Sequence, residues 1–321
     1  MCLDSSDVAE QGEDMTRSEA LRFITDFYRN PNPGKDDMFL FEEAELFLIN
    51  TYHNPSDMNN LAFHYLEQRR HDLELKYLEM AAEYDYPAAV EELGFIWYYG
   101  QTGEVDYKKA YEYFSAAASL DDDVVKAWSE YKLADMYLNG YYVQKDEAKF
   151  RSMIEALYAW IVNPGKLHSI YPSPELRLPH CDVYLRLARI RAQDGKTEEA
   201  LKLLSDAREI LSEDIRNNPA WWGNIEVMDE VVSLQYELGY EADRLDVFDL
   251  FGLAKKECVT AFLYEDRRFL IDIVREDDGV SVKFDHKWFR TVREFFEKAE
   301  IDGERIVYIY DELYDLEVSY E

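Results

Sequence analysis

Apolar residues recur at helical spacing along most of this chain. Ala20, Leu21, Ile24 and Phe27 form one stripe and predict a helix starting near Thr16 or Ser18. Asn30 to Asp37 holds two prolines and a glycine, which predicts a loop. Phe41, Ala44, Phe47 and Leu48 then predict a second helix over 39–52. Asn54-Pro55-Ser56-Asp57 breaks the chain and offers an N-cap. Further on, Tyr107, Ala110, Tyr111, Phe114, Ala117 and Ala118 again share one helical stripe. After residue 258 the period changes. Ala261–Tyr264, Phe269–Val274 and Val280–Phe284 are short β-branched or aromatic runs, with Asp277-Asp278-Gly279 placed for a tight hairpin turn. A helix is expected to carry Trp288, Phe289, Val292, Phe295, Phe296 and Ala299 on one face, and Arg305–Tyr310 and Leu316–Tyr320 read as further strands.

The helical part repeats itself. Leu93 to Leu133, Gly100 to Gly140 and Asp106 to Asp146 are each separated by 40 residues. Landmarks that share one period of this size indicate stacked helical hairpins. Gly100 sits where the first helix of a pair must stop, which suits a left-handed C-cap. Asp121-Asp122-Asp123 can cap the helix that follows. A single hairpin of about 36 residues loses roughly 1–2 kcal/mol per residue in backbone entropy, whereas burying a large side chain returns about 1.5–3 kcal/mol. Neighbouring hairpins must therefore stack. The 25 Tyr, 17 Phe and 6 Trp supply side chains for that packing.

These residues resemble the Sel-1-like branch of the tetratricopeptide repeat superfamily. Residues 88–118 follow its pattern: Leu93-Gly94, Trp97 in the usual Tyr place, Gly100, Val105-Asp106, Lys109-Ala110, Tyr113-Phe114 and Ala117-Ala118. Residues 126–157 match in the first helix and loop, then depart with Lys149-Phe150 and Ala156-Leu157 in place of the small pairs. Residues 59–86 look like a shortened unit with Leu61-Ala62, Tyr65 and Ala81-Ala82. Residues 181–208 resemble an ordinary tetratricopeptide unit, with Arg191 where an aromatic is usual. Residues 225–256 read as a further pair broken near Gly239. The resemblance covers 59–256 and implies a mainly α protein, an α-solenoid of helical hairpins, to which the C-terminal pattern adds a small α+β unit. The organisation expected is a disordered acidic stretch 1–16, a helical segment 17–58, Sel-1-like repeats 59–163, a Pro-rich break 164–180, tetratricopeptide-like hairpins 181–257 and an α+β unit 258–321. The resemblance also implies that Glu91, Phe95, Tyr98, Trp128, Tyr131, Asp135 and Asn139, first-helix residues off the consensus ladder, face a groove. The alternative is that the aromatics simply pack between repeats.

Charge changes the functional picture. The 321 residues carry 35 Lys plus Arg against 67 Asp plus Glu, net −32. Such a chain lacks the basic groups that neutralise nucleic-acid phosphate or anionic lipid, so neither direct nucleic-acid binding nor membrane docking is expected. Three widely spaced cysteines, Cys2, Cys181 and Cys258, make no disulfide framework. The opening residues lack the basic-then-apolar layout of a secretion signal, and no run approaches about 18 apolar residues. A cytoplasmic location is expected.

Candidate chemistry is sparse. His64, Glu67, His71 and Glu74 share one helical face only if the helix continues through Gln68-Arg69-Arg70, where a turn is expected and two arginines oppose a cation. The adjacent His180 and Cys181 lack an orienting third group. No phosphate-binding glycine loop and no nucleophile elbow occur. No catalytic residue, metal site or cofactor is therefore expected. The leading expectation is a non-enzymatic interaction scaffold that takes a protein or peptide of basic character, using aromatic anchors and acidic side chains. Two alternatives stand beside it. One is an acidic charge mimic, an inhibitor or immunity protein that blocks a basic site on a partner. The other is an enzyme with its site at the C-terminal α+β unit. Oligomeric state is not fixed by the sequence.

Overall fold

The computed structural model describes residues 15–30, 33–162, 179–219, 222–242, 244–254, 258–276 and 279–319, without the side chains of Trp222 and Glu276. Most of the stretches expected at 1–16 and 164–180 lie outside the described residues. The chain divides into two compact units, Met1–Asp146 and Glu147–Glu321.

The first unit is helical: α1 (Arg17–Arg29), α2 (Lys35–Tyr52), α3 (Pro55–Glu67), α4 (His71–Ala82), α5 (Pro87–Tyr99), α6 (Tyr107–Ala117) and α7 (Asp123–Asn139). Its boundaries follow from capping chemistry. Thr16 and Glu19 form a reciprocal capping box at α1. Asn54 caps α3, with Pro55 at the first helical position. Asp106 accepts from Lys108 N and Lys109 N at α6, and Asp122 accepts from Val124 N and Val125 N at α7. Gly100 and Gly140 end α5 and α7 in the left-handed conformation, at φ 66° and 74°. The turn expected at 68–70 separates α3 from α4.

Helices pair in sequence, α1 with α2, α3 with α4 and α5 with α6, and each pair packs on the next through α2–α3, α4–α5 and α6–α7. A continuous apolar seam results. Leu61, Ala62, Tyr65, Leu78, Ala81, Leu93 and Ile96 lie in one buried cluster. Gly94 permits the closest approach, since a Cβ there would sit 2.6 Å from the Phe114 ring. Stacked helical hairpins are thus the observed fold of this unit.

The second unit opens with α8 (Glu147–Ile161), α9 (His180–Gln193), α10 (Thr197–Asn217), α11 (Trp222–Glu237) and α12 (Asp249–Leu253). The repeat expected over 126–157 is therefore divided, α7 to the first unit and α8 to the second. Helix α8 buries Phe150, Ile154, Leu157 and Ile161 at helical spacing and packs on α9. Arg191, unexpected in an aromatic place, reaches Glu155 at 2.8 Å and Glu199 at 3.2 Å, and so ties α8, α9 and α10 together. Cys181 is buried in the first turn of α9 and donates to Ala207 O at 3.6 Å.

Strands β1 (Cys258–Tyr264), β2 (Arg267–Glu276), β3 (Gly279–Phe284), β4 (Lys287–Phe289) and β7 (Tyr314–Ser319) form an antiparallel sheet in the order β4-β3-β2-β1-β7. A small hairpin, β5 (Glu300–Ile301) with β6 (Glu304–Arg305), lies between α13 (Val292–Lys298) and α14 (Ile306–Ile309). Two expectations are corrected here. Trp288 and Phe289 belong to β4, not to a helix, because Asp285 and His286 adopt positive φ, 43° and 65°, and fold the chain back into a two-residue hairpin. Thr291 then caps α13. Residues Arg305–Tyr310, expected as a strand, instead run from the end of β6 into α14 and a 3-10 turn, and bury Ile306, Val307 and Ile309. Phe295 meets Phe284 and Phe289 edge-on, while Phe296 stacks on Phe248 and Phe251 beside α12. Arg293 pairs with Asp229 of α11, and Tyr310 donates to Ser212 O of α10 at 2.5 Å. The sheet is therefore joined to α10–α12 through α13 and Tyr310.

Candidate functional site

The repeat register puts Leu61, Leu93 and Leu133 at one position of α3, α5 and α7. The residues one step before them, Asn60, Glu92 and Lys132, are all polar. Lys132 is 4% exposed. Its Nζ donates to the Tyr99 hydroxyl at 2.5 Å and stands 4.0 Å from Asp135 Oδ2. The ammonium lies 4.8 to 5.8 Å from the ring centroids of Phe95, Tyr98, Tyr99 and Tyr131. Such ring faces attract a cation by about 0.5–2 kcal/mol each, more as water is removed. The aromatic set between α5 and α7 is thus a cage, and this chain's own lysine fills it.

That arrangement sorts the residues expected to face a groove. Tyr131 and Asp135 are buried, at 3% and 7% exposure, and take no part in an open surface. Both lie close to Lys132 on α7, Tyr131 with its ring centroid 4.8 Å and Asp135 with Oδ2 4.0 Å from the ammonium. Phe95, Tyr98 and Trp128 are half-buried. Phe95 packs edge-on against Phe114 and Trp128, and Tyr98 meets Tyr107 and Tyr141. Asn139 is exposed and donates to Asp135 O, one turn back on its own helix. Packing between repeats therefore accounts for much of the aromatic content. Lys132 is the residue that sequence reasoning missed. A lysine inside the run Tyr131-Lys132-Leu133-Ala134, where the helix is otherwise apolar, was the available signal.

Glu91 and Glu92 are half-buried on α5, about one turn before Phe95. Burial, then Glu92 and Asp122, push the Glu91 carboxyl up to about 9. Burial and Glu74 push Glu92 up to about 7. Glu74 itself is 2% exposed, with one oxygen 2.7 Å from His71 Nδ1 and the other without a hydrogen-bond partner. For Glu91 and Glu92, burial disfavours the charged form and neighbouring carboxylates add to the effect. Among the described residues no group of three His, Cys, Asp or Glu side chains could hold a metal ion. No described helix is long and apolar enough to cross a membrane.

No protein-family model matches this chain, and no curated protein matches it. Among solved structures, it is similar to a Sel1 repeat protein from Oxalobacter formigenes, with 18% identity over 71% of this chain and 94% of that one and a TM-score of 0.37. It is also similar to c5321, a protective antigen of uropathogenic Escherichia coli displaying an SLR fold, with 16% identity over 74% of this chain and 58% of that one and a TM-score of 0.29. The helical hairpins of this chain rest on the paired packing of their helices and on the left-handed caps at Gly100 and Gly140.

Proposed function

We propose that this protein is an interaction scaffold whose first unit holds a segment of a partner protein, basic in character, on the surface of α5 and α7. The observation that carries this reading is that Glu91, Phe95 and Tyr98, at i, i+4 and i+7 of α5, are all half-buried, with Glu91 a desolvated carboxyl and half-buried Trp128 edge-on to Phe95. A lysine or arginine of the partner would bring a cation to that carboxyl, and the aromatics would cover its stem. Lys132 is the chain's own precedent for a cation held by the Phe95 and Tyr98 rings. Binding should then release protons near neutral pH, because a nearby cation lowers the carboxyl toward its ordinary range.

The test is a peptide array of Lys- and Arg-containing 12-residue sequences, followed by calorimetry in buffers of differing ionisation enthalpy. Selected basic peptides should bind with proton release. Trp128→Ala combined with Glu91→Gln should weaken binding about tenfold or more, which is about 1.4 kcal/mol, while far-UV helicity is kept. Tyr131 is left intact because its substitution would open the core. Affinity unchanged in that double variant removes the α5–α7 surface from consideration.

A further inference from the structure

Tyr107 and Tyr141 stand face to face in the first unit. Their rings are parallel within 7° and their centroids are 4.1 Å apart, closer than the separation of about 4.5–7 Å usual for aromatic pairs. The backbone fixes both. Tyr107 is the first residue of α6, which Asp106 caps through Lys108 N and Lys109 N. Tyr141 follows Gly140, the left-handed stop of α7, and its N–H donates to Met136 O at 3.0 Å. The Tyr141 carbonyl in turn accepts from Val143 N at 2.8 Å. Burial, and then the Tyr141 hydroxyl, raise the Tyr107 phenol above its ordinary range, so the two hydroxyls lie at one end of the stack. Parallel rings stacked head to head bring the ortho carbons of the two phenols face to face. Both rings are half-buried, so water reaches them.

Neighbouring tyrosine pairs lack one or other of these features. Tyr65 and Tyr77 stack at 5.7 Å but are buried, at 2% and 7% exposure. Tyr98 and Tyr99 meet edge-on at 78°, and Tyr111 and Tyr137 at 85°, so their ortho carbons do not face each other. Tyr142 is exposed, but its ring is tilted 51° from that of Tyr111.

We propose that Tyr107 and Tyr141 are a site of oxidative cross-linking, at which a one-electron oxidant joins them as dityrosine. Each phenol gives one electron to the oxidant and its proton to water. The two tyrosyl radicals form one bond between ortho carbons, and each ortho hydrogen then moves to the oxygen of its own ring. The product is two hydrogens lighter and keeps both hydroxyls. Position supplies the selectivity, because radicals already held side by side couple far faster than radicals that must diffuse together. Net charge acts in the same direction, since chains at −32 repel one another and coupling between molecules is slowed. The new bond ties α6 to the turn after α7, and so one helical hairpin to the next.

The experiment oxidises the full chain to low conversion with photogenerated tris(bipyridine)ruthenium(III), a one-electron oxidant, and reads dityrosine fluorescence, intact mass and peptide maps. The expected product is a monomer two hydrogens lighter, with the peptides carrying Tyr107 and Tyr141 joined. Tyr107→Phe and Tyr141→Phe keep both rings and remove one hydroxyl, and each should lower the intrachain yield roughly tenfold or more. Tyr142→Phe, which removes the more exposed neighbour, should leave that yield unchanged. Unfolding the parent in urea before oxidation should bring its yield down to that of the two phenylalanine variants, since the positioning is then lost. Absence of dityrosine, cross-linked dimers as the main product, an intrachain bond through Tyr111 or Tyr142 instead, or an undiminished yield in Tyr107→Phe would overturn the proposal.

Discussion

Glu45 shows how far packing can override a side chain's ordinary chemistry. It lies on α2 at 0% exposure, and neither carboxyl oxygen finds a well-formed hydrogen bond, although the Asn60 amide nearby offsets a little of the cost. Burial, reinforced by Asp57, pushes its carboxyl up to about 8. The unfolded chain ionises this group near 4.5. The folded state therefore holds a proton that the unfolded state gives up between those values. Stability from this group is fully present below about pH 4.5 and is lost as pH rises toward 8. Glu45→Gln keeps the neutral shape and removes the titration. The variant should match the parent near pH 4 and exceed it at pH 7 by roughly 3 kcal/mol, at about 1.4 kcal/mol per unit. Melting temperature measured against pH checks this, and parallel curves for parent and variant would sink it.

At the scale of elements, the α5–α7 contact turns on what Lys132 contributes. Removing an ammonium from water costs several kcal/mol, and four ring faces with one hydroxyl return a comparable amount. Asp135, also buried, stands 4.0 Å from the ammonium and loses that cation when Lys132 is replaced. Lys132→Met, which keeps the volume, should therefore still cost about 3 kcal/mol, whereas Lys132→Met combined with Asp135→Asn should cost less than about 1.5 kcal/mol. Urea denaturation of both variants separates these outcomes, and equal losses would show that the charge pair does not govern. The same contact marks what the sequence could convey. Caps, glycine stops and the 40-residue spacing are local signals, so the helices and the turn at 68–70 were legible from the residues alone. Which aromatics stay open was not legible, because it depends on contacts between α5 and α7, such as Lys132 with Tyr99, that are distant in the chain. Nor was β4. The Asp285-His286 turn lacks glycine and asparagine, so Trp288 and Phe289 were read with the helix that follows. The role of Arg191 depended on Glu155, 36 positions away.

For the molecule as a whole, the decisive quantity is the surplus of carboxylates. With 35 basic and 67 acidic side chains, 32 carboxylates would remain even if every lysine and arginine were paired. The ion pairs that do form are mostly at the surface, such as Arg151 with Asp194 and Arg189 with Glu230. Pairs of that kind contribute about 0–1 kcal/mol each. Added salt weakens both the pairs and the self-repulsion, and the two effects oppose one another. Repulsion should win, because every unpaired carboxylate acts on many others within the Debye length of about 10 Å at 0.1 M, whereas each pair loses only its own small term. Raising sodium chloride from about 10 mM to about 0.3 M should therefore raise the melting temperature by several degrees at pH 7.5. The same addition should weaken capture of any basic peptide, since that attraction is screened in the same way. A melting temperature that falls with salt would mean that specific pairs, Arg208 with Asp246 and Asp249 foremost, carry more of the stability than the net charge removes.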